Sequence, residues 1–248
     1  MVTRRKFIGA CALAPLAAHA VIVPHNRRIL QDLVAFWKLD EASGTRVSQF
    51  NGLDLSDNNT VGQRAGPTSV GNGADFVTNK FLSRDSETLL QVGDFNFSFS
   101  LWTIVENQVG VVEAIFGKDD GTNRDYYLYY DGTTDQLNFQ LYNTAGVTGN
   151  FVGPSIDGNW NLISCGYIAA TRTVWLATNA DTEVTLTLPG TTPPNASAVQ
   201  FRVGARAYDT FQQYLDGGIC SLGKWHRYLT PNDRAYLYNA GVGRQWPF

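Results

Sequence analysis

Short runs of strand-forming residues, separated by turn clusters, fill the sequence from about residue 31 onward. Apolar and polar residues alternate from Phe95 to Trp102, which places the apolar side chains on one face of a strand. Further runs with β-rich composition lie at 126–130, 137–142, 162–168, 173–177 and 199–203. Clusters of Asp, Asn, Gly and Thr, typical of turns, lie at 119–123, 131–135 and 157–159. This pattern predicts an all-β fold of two stacked antiparallel sheets.

One helix is predicted, close to the end of the sequence. Thr230 supplies an N-cap hydroxyl, Pro231 suits the first helical position, and Asp233 adds an acid to the first turn. The predicted helix runs from Pro231 to Asn239, and Gly241 is its expected stop. No helical segments separate the strand runs, so a βαβ fold is excluded.

Composition and charge exclude several classes of protein. Only 17% of the residues are charged and 12% are aromatic, which is typical of a packed globular domain. The net charge is −3 and no basic stripe runs along the chain, so we expect no nucleic-acid partner. The longest apolar run, Phe7 to Ala18, is shorter than the roughly 20 residues that cross a bilayer, so we expect no membrane-spanning segment.

The first 20 residues have the parts of an export leader. Arg4, Arg5 and Lys6 precede the short apolar run, and Ala18-His19-Ala20 follows it as a small-x-small cleavage site. The paired arginines resemble the twin-arginine export motif. We therefore predict export to the periplasm or the extracellular space. The alternative is an uncleaved basic N-terminal arm, as in a virion protein.

After this leader or arm, we expect a linker at 21–30 and a single domain at 31–248. The predicted mature chain keeps two cysteines, Cys165 and Cys220, both in strand-like runs. In an oxidising compartment they could form one disulfide, but buried free thiols are equally ordinary at such positions.

Five segments, in order along the chain, contain motifs of a known family: Val34–Thr45, Gly71–Phe76, Asp157–Trp160, Val174–Leu176 and Leu215–Thr230. These motifs resemble those of laminin G-like domains in the concanavalin A-like lectin/glucanase superfamily. The resemblance implies a jelly-roll sandwich of two curved antiparallel sheets with the first and last strands adjacent. The last segment departs from the family pattern, because Ile219-Cys220-Ser221 stands where relatives carry carboxylates that sometimes help to bind a structural calcium.

Catalytic patterns are missing from the sequence. The glucanase branch of the superfamily uses two glutamates on one strand, and none of the five glutamates forms that pattern. A nucleophile elbow is also absent, and His226 is best explained as a surface or capping residue. We therefore expect a protein that is not an enzyme.

Binding chemistry is concentrated in the segment from Asp119 to Asp131. Aromatic rings stack on sugars, amides and charged groups bond their hydroxyls, and calcium takes hard oxygen ligands. The predicted carbohydrate-binding residues are Asn123, Arg124, Tyr127, Tyr129 and Trp175. The predicted metal ligands are Asp119, Asp120 and Asp125, with calcium as the cofactor and Asp125 placed as in calcium-binding relatives.

The two-residue period of a strand supports the choice of Tyr127 and Tyr129 as carbohydrate-binding rings. Tyr127 and Tyr129 share one face with Asp125, whereas Tyr126, Leu128 and Tyr130 share the other, so one tyrosine pair faces away from the core. Structural roles are the alternatives: the acids also suit a solvated turn, the tyrosines also suit a wet sheet face, and Trp175 also suits packing against a neighbouring strand or the leader.

Three function classes remain. The first is a noncatalytic carbohydrate-binding or adhesive module of an exported protein, with glycans as partners. The second is a structural subunit of a virion or surface assembly, such as a decoration or tail-fibre component, with a protein partner. The third and weakest is a divergent glycoside hydrolase. Fold alone does not separate them, because this superfold hosts many functions.

Overall fold

The computed structural model describes residues 24–106, 109–145, 148–153, 155–156, 158–207 and 213–248. The predicted leader at 1–20 lies outside these residues. In the described part, two antiparallel sheets form an all-β sandwich, which confirms the fold predicted from the strand pattern. In chain order the strands are β1 (Leu33–Trp37), β2 (Ser56–Asn58), β3 (Gly62–Ala65), β4 (Asn72–Phe76), β5 (Phe81–Arg84), β6 (Phe97–Val105), β7 (Val112–Asp119), β8 (Arg124–Asp131), β9 (Gln136–Tyr142), β10 (Thr148–Val152), β11 (Asn161–Ile168), β12 (Thr173–Thr178), β13 (Val184–Thr187), β14 (Phe201–Val203) and β15 (Gly217–Trp225).

The larger sheet has eight strands, in the order β13-β12-β11-β6-β15-β4-β3, with β1 also paired to β15. Leu33 of β1 lies opposite Trp225 of β15, so the first and last strands of the described chain are adjacent. The smaller sheet has seven strands, in the order β10-β9-β8-β7-β14-β5-β2. Long connections between the sheets bring residues that are distant in sequence onto neighbouring strands.

The central core lies between the inner faces of the two sheets. Phe99 of the larger sheet meets Phe116 and Tyr126 of the smaller one, with ring centroids 4.8 and 4.9 Å apart. Leu128 and Tyr130 belong to the same buried cluster. Tyr126, Leu128 and Tyr130 therefore face inward, as the strand period predicts.

The predicted helix is present as α2 (Pro231–Tyr238). The Thr230 side chain accepts a hydrogen bond from the Asp233 N–H, and the Asp233 side chain accepts one from the Thr230 N–H, so both ends of a capping box are formed. Asn239 ends the helix in a left-handed conformation, two residues before the glycine expected to stop it. A second helix, α1 (His25–Ile29), falls within the predicted linker.

A second apolar cluster covers the outer face of the larger sheet. Trp102, Trp175 and Trp225 project from the strands and pack with Ile29 of α1 and Leu237 of α2. The two helices are also joined by charge, because the Asp233 carboxylate lies 3.1 Å from Arg28 of α1. This face of the sandwich is therefore closed by the two ends of the described chain.

The two cysteines face opposite sides of the larger sheet. Cys165 belongs to the central core, whereas Cys220 belongs to the outer cluster. Both are buried free thiols, and burial raises the pKa of each. Of the two alternatives left open by the sequence, the structure shows the free thiols.

Candidate functional site

The turn between β7 and β8 presents a rigid set of polar groups. Asp120 accepts hydrogen bonds from the Thr122 N–H at 2.9 Å, the Asn123 N–H at 2.6 Å and the Asn123 side-chain amide at 3.1 Å. Partial burial acts to raise the pKa of Asp120, but these hydrogen bonds outweigh it and hold the pKa below its ordinary value. Asp120 is therefore a fixed carboxylate, with exposed Thr122 and Asn123 beside it.

An open cleft of about 560 Å³ lies beside this turn, and we call it the turn cleft. Its size is within the range of roughly 300–1,000 Å³ seen for small-molecule sites. The polar groups at its surface come from two parts of the chain: Asp120, Thr122, Asn123, Gln200 and Arg202. Carboxylate, hydroxyl, amide and guanidinium groups together match the hydrogen-bonding needs of a polyhydroxylated ligand.

Arg202 of β14 is held in position by its neighbours. Its guanidinium group lies 4.6 Å from the ring centroid of Phe81, and its Nε donates to Gln200 Oε1 at 2.8 Å. Both contacts restrict the side chain, which reduces the conformational entropy lost when a ligand binds. The cleft therefore has a preorganised wall on the side opposite the turn.

Buried charges hold the segment that forms this wall. The Ser197 N–H donates to both oxygens of Asp125, at 2.9 and 3.0 Å, and Lys118 Nζ donates to the Val199 carbonyl at 2.5 Å. Burial raises the pKa of Asp125 against the effect of the Ser197 hydrogen bonds, and burial lowers the pKa of Lys118 against the attraction of Asp125. The fully buried Asp125 thus anchors the segment that continues into the cleft-lining residues Val199 and Gln200, and its carboxylate does not reach solvent.

Asp119 is likewise engaged by neighbours rather than open to a ligand. Both of its oxygens lie 3.0 Å from Arg206 Nη2, and Oδ1 also accepts from the Gly121 N–H at 2.7 Å. Arg124 Nε lies 3.7 Å from the same carboxylate. The Asp119 side chain is buried, so its charge is compensated within the protein.

Each of the three predicted metal ligands is bonded to a different group of the protein. Asp119 pairs with Arg206, Asp120 caps its own turn, and Asp125 bonds Ser197. Across the described ranges, no group of three His, Cys, Asp or Glu side chains could hold a metal ion. Calcium also takes amide and backbone carbonyl oxygens, and the calcium role of these three carboxylates stays a prediction.

The predicted tyrosine pair lies on the outer side of the smaller sheet, apart from the central core. Tyr127 and Tyr129 stack with centroids 4.8 Å apart, and Arg206 lies 5.1 Å from the Tyr127 ring centroid. Only 2% of Tyr127 and 9% of Tyr129 is exposed. The outward direction is as predicted, but little ring surface reaches solvent. Arg124, by contrast, keeps 38% of its side chain exposed at the end of the pair's strand.

Trp175 lies on the other sheet, far from this turn in the fold. Its ring is fully buried beneath α2, with Tyr228 edge-on at 5.3 Å and the Arg234 guanidinium 5.1 Å from its centroid. It faces away from the central core as expected, and it packs against a covering element. The structure therefore places Asn123 at the cleft, Arg124 beside it, and Trp175 in a separate apolar cluster.

Gln200 and Arg202 are site residues that sequence reasoning did not single out. They lie in the run at 199–203 that was predicted as a strand; β14 covers Phe201–Val203, so Arg202 lies in the strand and Gln200 just before it. Nothing local marks them as neighbours of the turn at 119–123. The pairing of Arg202 with Gly117 of β7 brings them there. The proximity of these two residues to the turn therefore follows from the order of the strands in the smaller sheet.

Comparisons with known proteins show similarity in fold. No family model and no curated protein sequence matches the chain. The binding domain of Paraclostridial Mosquitocidal Protein 1 superposes with a TM-score of 0.70 at 11% identity, over 86% of this chain and 53% of that one. Botulinum neurotoxin type C, described as dependent for entering cells upon interaction with two ganglioside molecules, gives 0.64 at 13% identity, over 86% and 52%.

A Trypanosoma rangeli sialidase also matches, with a TM-score of 0.61 at 13% identity over 86% of this chain and 33% of the enzyme. The chain thus spans about half the length of the two toxin structures and a third of the sialidase. In the part of the chain that the structure describes, no helix has the length and apolar character needed to cross a membrane. At these identities the similarity establishes the fold: this chain is a β-sandwich of the kind found in these binding domains and in the sialidase.

Proposed function

We propose that this chain is a noncatalytic carbohydrate-binding module, laminin G-like in type, that binds glycans at the turn cleft. The observation that carries the proposal is the cleft itself. Hydroxyl, amide, carboxylate and guanidinium groups from two fixed walls surround a volume of about 560 Å³. Sugar hydroxyls both donate and accept hydrogen bonds, so a mixed set of this kind suits them better than it suits an apolar ligand.

The same geometry supports binding without hydrolysis. Canonical glycosidases place two carboxyl groups on either side of the scissile bond, one of them with a raised pKa. Among the described residues that line the turn cleft, Asp120 is the one carboxylate, and its pKa is lowered by hydrogen bonds that outweigh its partial burial. It is suited to accept hydrogen bonds from a bound sugar rather than to protonate a leaving group.

The similarity in fold to binding domains of toxins adds support for a recognition role. One neighbour is a mosquitocidal-protein binding domain, and another is linked by its description to gangliosides.

We propose by the same reasoning that the chain is an exported, adhesive module. N-terminal mass spectrometry of the protein from its native cells tests this part, since a mature start at Val21 is expected and a retained Met1 would contradict it.

A glycan array followed by titration calorimetry tests the binding proposal. We expect the wild type to bind a subset of oligosaccharides, and Thr122→Ala and Asn123→Ala to weaken binding by roughly 0.5–1.5 kcal/mol each, the usual net value of one hydrogen bond. Thr134→Ala is the matched control, because Thr134 is also exposed in a hairpin turn but at the other end of β8. Absence of binding to any glycan, or an equal loss in the control, would contradict the proposal.

The calcium prediction has a separate test. If the turn binds calcium, adding the ion raises the wild-type Tm by mass action, and Asp120→Asn reduces that rise. Equal Tm values with calcium and with a chelator would remove calcium from the proposal. The glycan test above does not depend on the result.

A further inference from the structure

A second open cleft lies on the same sheet as the turn cleft. Its volume is about 260 Å³, and we call it the edge cleft because it is formed by β2, β5 and the segment after β5. Three serines, Ser56, Ser83 and Ser86, line it together with charged side chains. Nothing in the sequence patterns singled out these residues, and the proposed glycan site does not include them.

Side chains join the two clefts directly. Gln200 lines the turn cleft and donates from Nε2 to Oδ1 of Asp85, which lines the edge cleft, at 3.0 Å. This is an exposed hydrogen bond between two surface side chains, so a ligand hydroxyl can replace either partner at small cost. The boundary between the clefts is therefore a polar contact and not a wall of backbone.

The strand register also places the two clefts side by side, independently of the Gln200–Asp85 hydrogen bond. Arg202 of the turn cleft lies directly opposite Ser83 of the edge cleft, and Ser83 lies opposite Ser56 on its other side. Residues directly opposite one another on neighbouring strands share a sheet face. The row from Arg202 to Ser56 crosses two strand spacings, about 10 Å in all, which is longer than a single sugar ring.

The charges that line the clefts favour one class of glycan. The described residues that line them carry four carboxylates, from Asp54, Asp85, Glu87 and Asp120, against the guanidinium groups of Arg84 and Arg202. Arg84 is also paired with Glu87, at 3.4 Å. The excess of negative charge repels a carboxylate or sulfate on a ligand, and it leaves many acceptors for neutral hydroxyls.

We propose that the turn cleft and the edge cleft form one extended site for an uncharged oligosaccharide of at least two sugar units. This inference rests on the proposed glycan-binding function and specifies its ligand. It separates this chain from proteins that recognise acidic sugars, because the selectivity comes from the carboxylates around Asp85. The edge cleft is the subsite that binds the additional sugar units of a longer oligosaccharide.

The test uses the full chain and defined probes. These are neutral gluco-, xylo- and N-acetylglucosamine oligosaccharides of one to six units, and sialylated or uronate-containing oligosaccharides of matched length. We expect affinity to rise by about tenfold or more from the monosaccharide to the tetrasaccharide of the preferred series, as hydrogen bonds in the edge cleft are added. The acidic probes should bind more weakly than their neutral counterparts.

Variants locate the effect within the site. Ser86→Ala should lower affinity for the tetrasaccharide and leave the affinity for the monosaccharide unchanged, whereas Thr122→Ala should lower both. Ser43→Ala is the control, since Ser43 is an exposed turn serine outside both clefts. Circular dichroism and thermal melting of each variant show that the fold is retained.

The outcomes separate this inference from the function on which it rests. Glycan binding that is lost in Thr122→Ala but independent of ligand length and of Ser86 would overturn the extended site and leave the proposed function in place. Tighter binding of the acidic probes would overturn the assignment to uncharged glycans. A chain that binds none of the probes, and no glycan on the array, would end both proposals.

Discussion

The outer faces of the two sheets differ in what covers them. On the larger sheet, α1, α2 and the aromatic residues Trp246 and Phe248 pack over the three strand tryptophans. On the smaller sheet, the outer side carries two open clefts lined by polar side chains. The aromatic residues that point away from the central core are nevertheless buried on both faces, with Trp175 fully buried and Tyr127 and Tyr129 exposed by only 2% and 9%. The direction of a side chain does not by itself indicate a binding role.

The sharpest test of this difference compares buried Trp175 with an exposed aromatic residue. We expect Trp175→Ala to lower the free energy of unfolding by about 3–5 kcal/mol, because it removes a fully buried ring from beneath α2. Phe50→Ala is the control, since Phe50 is 39% exposed, and it should cost far less. Urea unfolding measures both. Equal small losses would mean that the larger sheet's outer face is not closed by α2.

Buried lysines provide a pH-dependent test of the interior between the two faces. Lys224 Nζ donates to the carbonyls of Leu89 and Gln91, at 2.7 and 2.5 Å, and burial lowers its pKa to about 7. The unfolded chain has the ordinary lysine pKa of about 10.4, so between these values it binds more protons than the folded chain. Stability conferred through this group therefore rises with pH across that window.

The slope of that rise approaches about 1.4 kcal/mol per pH unit for one proton. Lys118 also makes the free energy of unfolding rise with pH, whereas the buried thiols make it fall. The effect of Lys224 alone is therefore the free energy of unfolding of the wild type minus that of Lys224→Met. Urea unfolding at intervals from pH 7 to pH 10 should show that difference growing with pH. Parallel curves for the two proteins would show that the lysine titrates normally in the folded state.

The covering helix depends on its cap. Thr230→Ala removes the hydroxyl that accepts from the Asp233 N–H and from Arg28 Nη2, so we expect a loss of about 1 kcal/mol in the free energy of unfolding. Amide hydrogen exchange should speed up in α2 more than in β8. Thr134→Ala serves again as a control, since it lies in a hairpin turn on the other sheet. An unchanged exchange rate in α2 would show that packing alone holds the helix.

The smallest effect on the free energy of unfolding is expected for a substitution at the turn cleft. Thr122→Ala should change the free energy of unfolding by no more than about 0.5 kcal/mol, because the exposed side chain is not used to hold the turn. The turn is held instead by the Thr122 backbone N–H and by Asp120, which the substitution leaves intact. Thermal melting checks this, and a large drop in Tm would mean that the turn cleft is part of the structural core of the sandwich.

Local sequence predicted the strands and their faces well. The alternation at 95–102 became β6, the run at 126–130 became the centre of β8, and the helix predicted from Thr230 and Pro231 begins where its cap residues indicate. Each of these depends on period or on residues a few positions apart. Side-chain alternation and capping are short-range, so the sequence contains them directly.

The candidate site was predicted only in part, because burial and partners are set by distant segments. Asp125 was expected as a metal ligand, and in the structure it is fully buried and bonded to the Ser197 N–H. Trp175 was expected on an outward face, and the position of α2 closes that face. The glycan and calcium roles of these residues stay predictions.

The amino-acid sequence by itself determined an all-β chain, the position of its last helix, and a polar turn between two strands at 119–123. The tertiary structure decided which outward faces stay open, which acids are paired, and which strands stand beside the turn. Arg202 and Ser83 are more than a hundred residues apart along the chain, yet they face each other across adjacent strands. Strand order is a property of the whole sheet, set by packing two apolar faces together, and no local pattern specifies it.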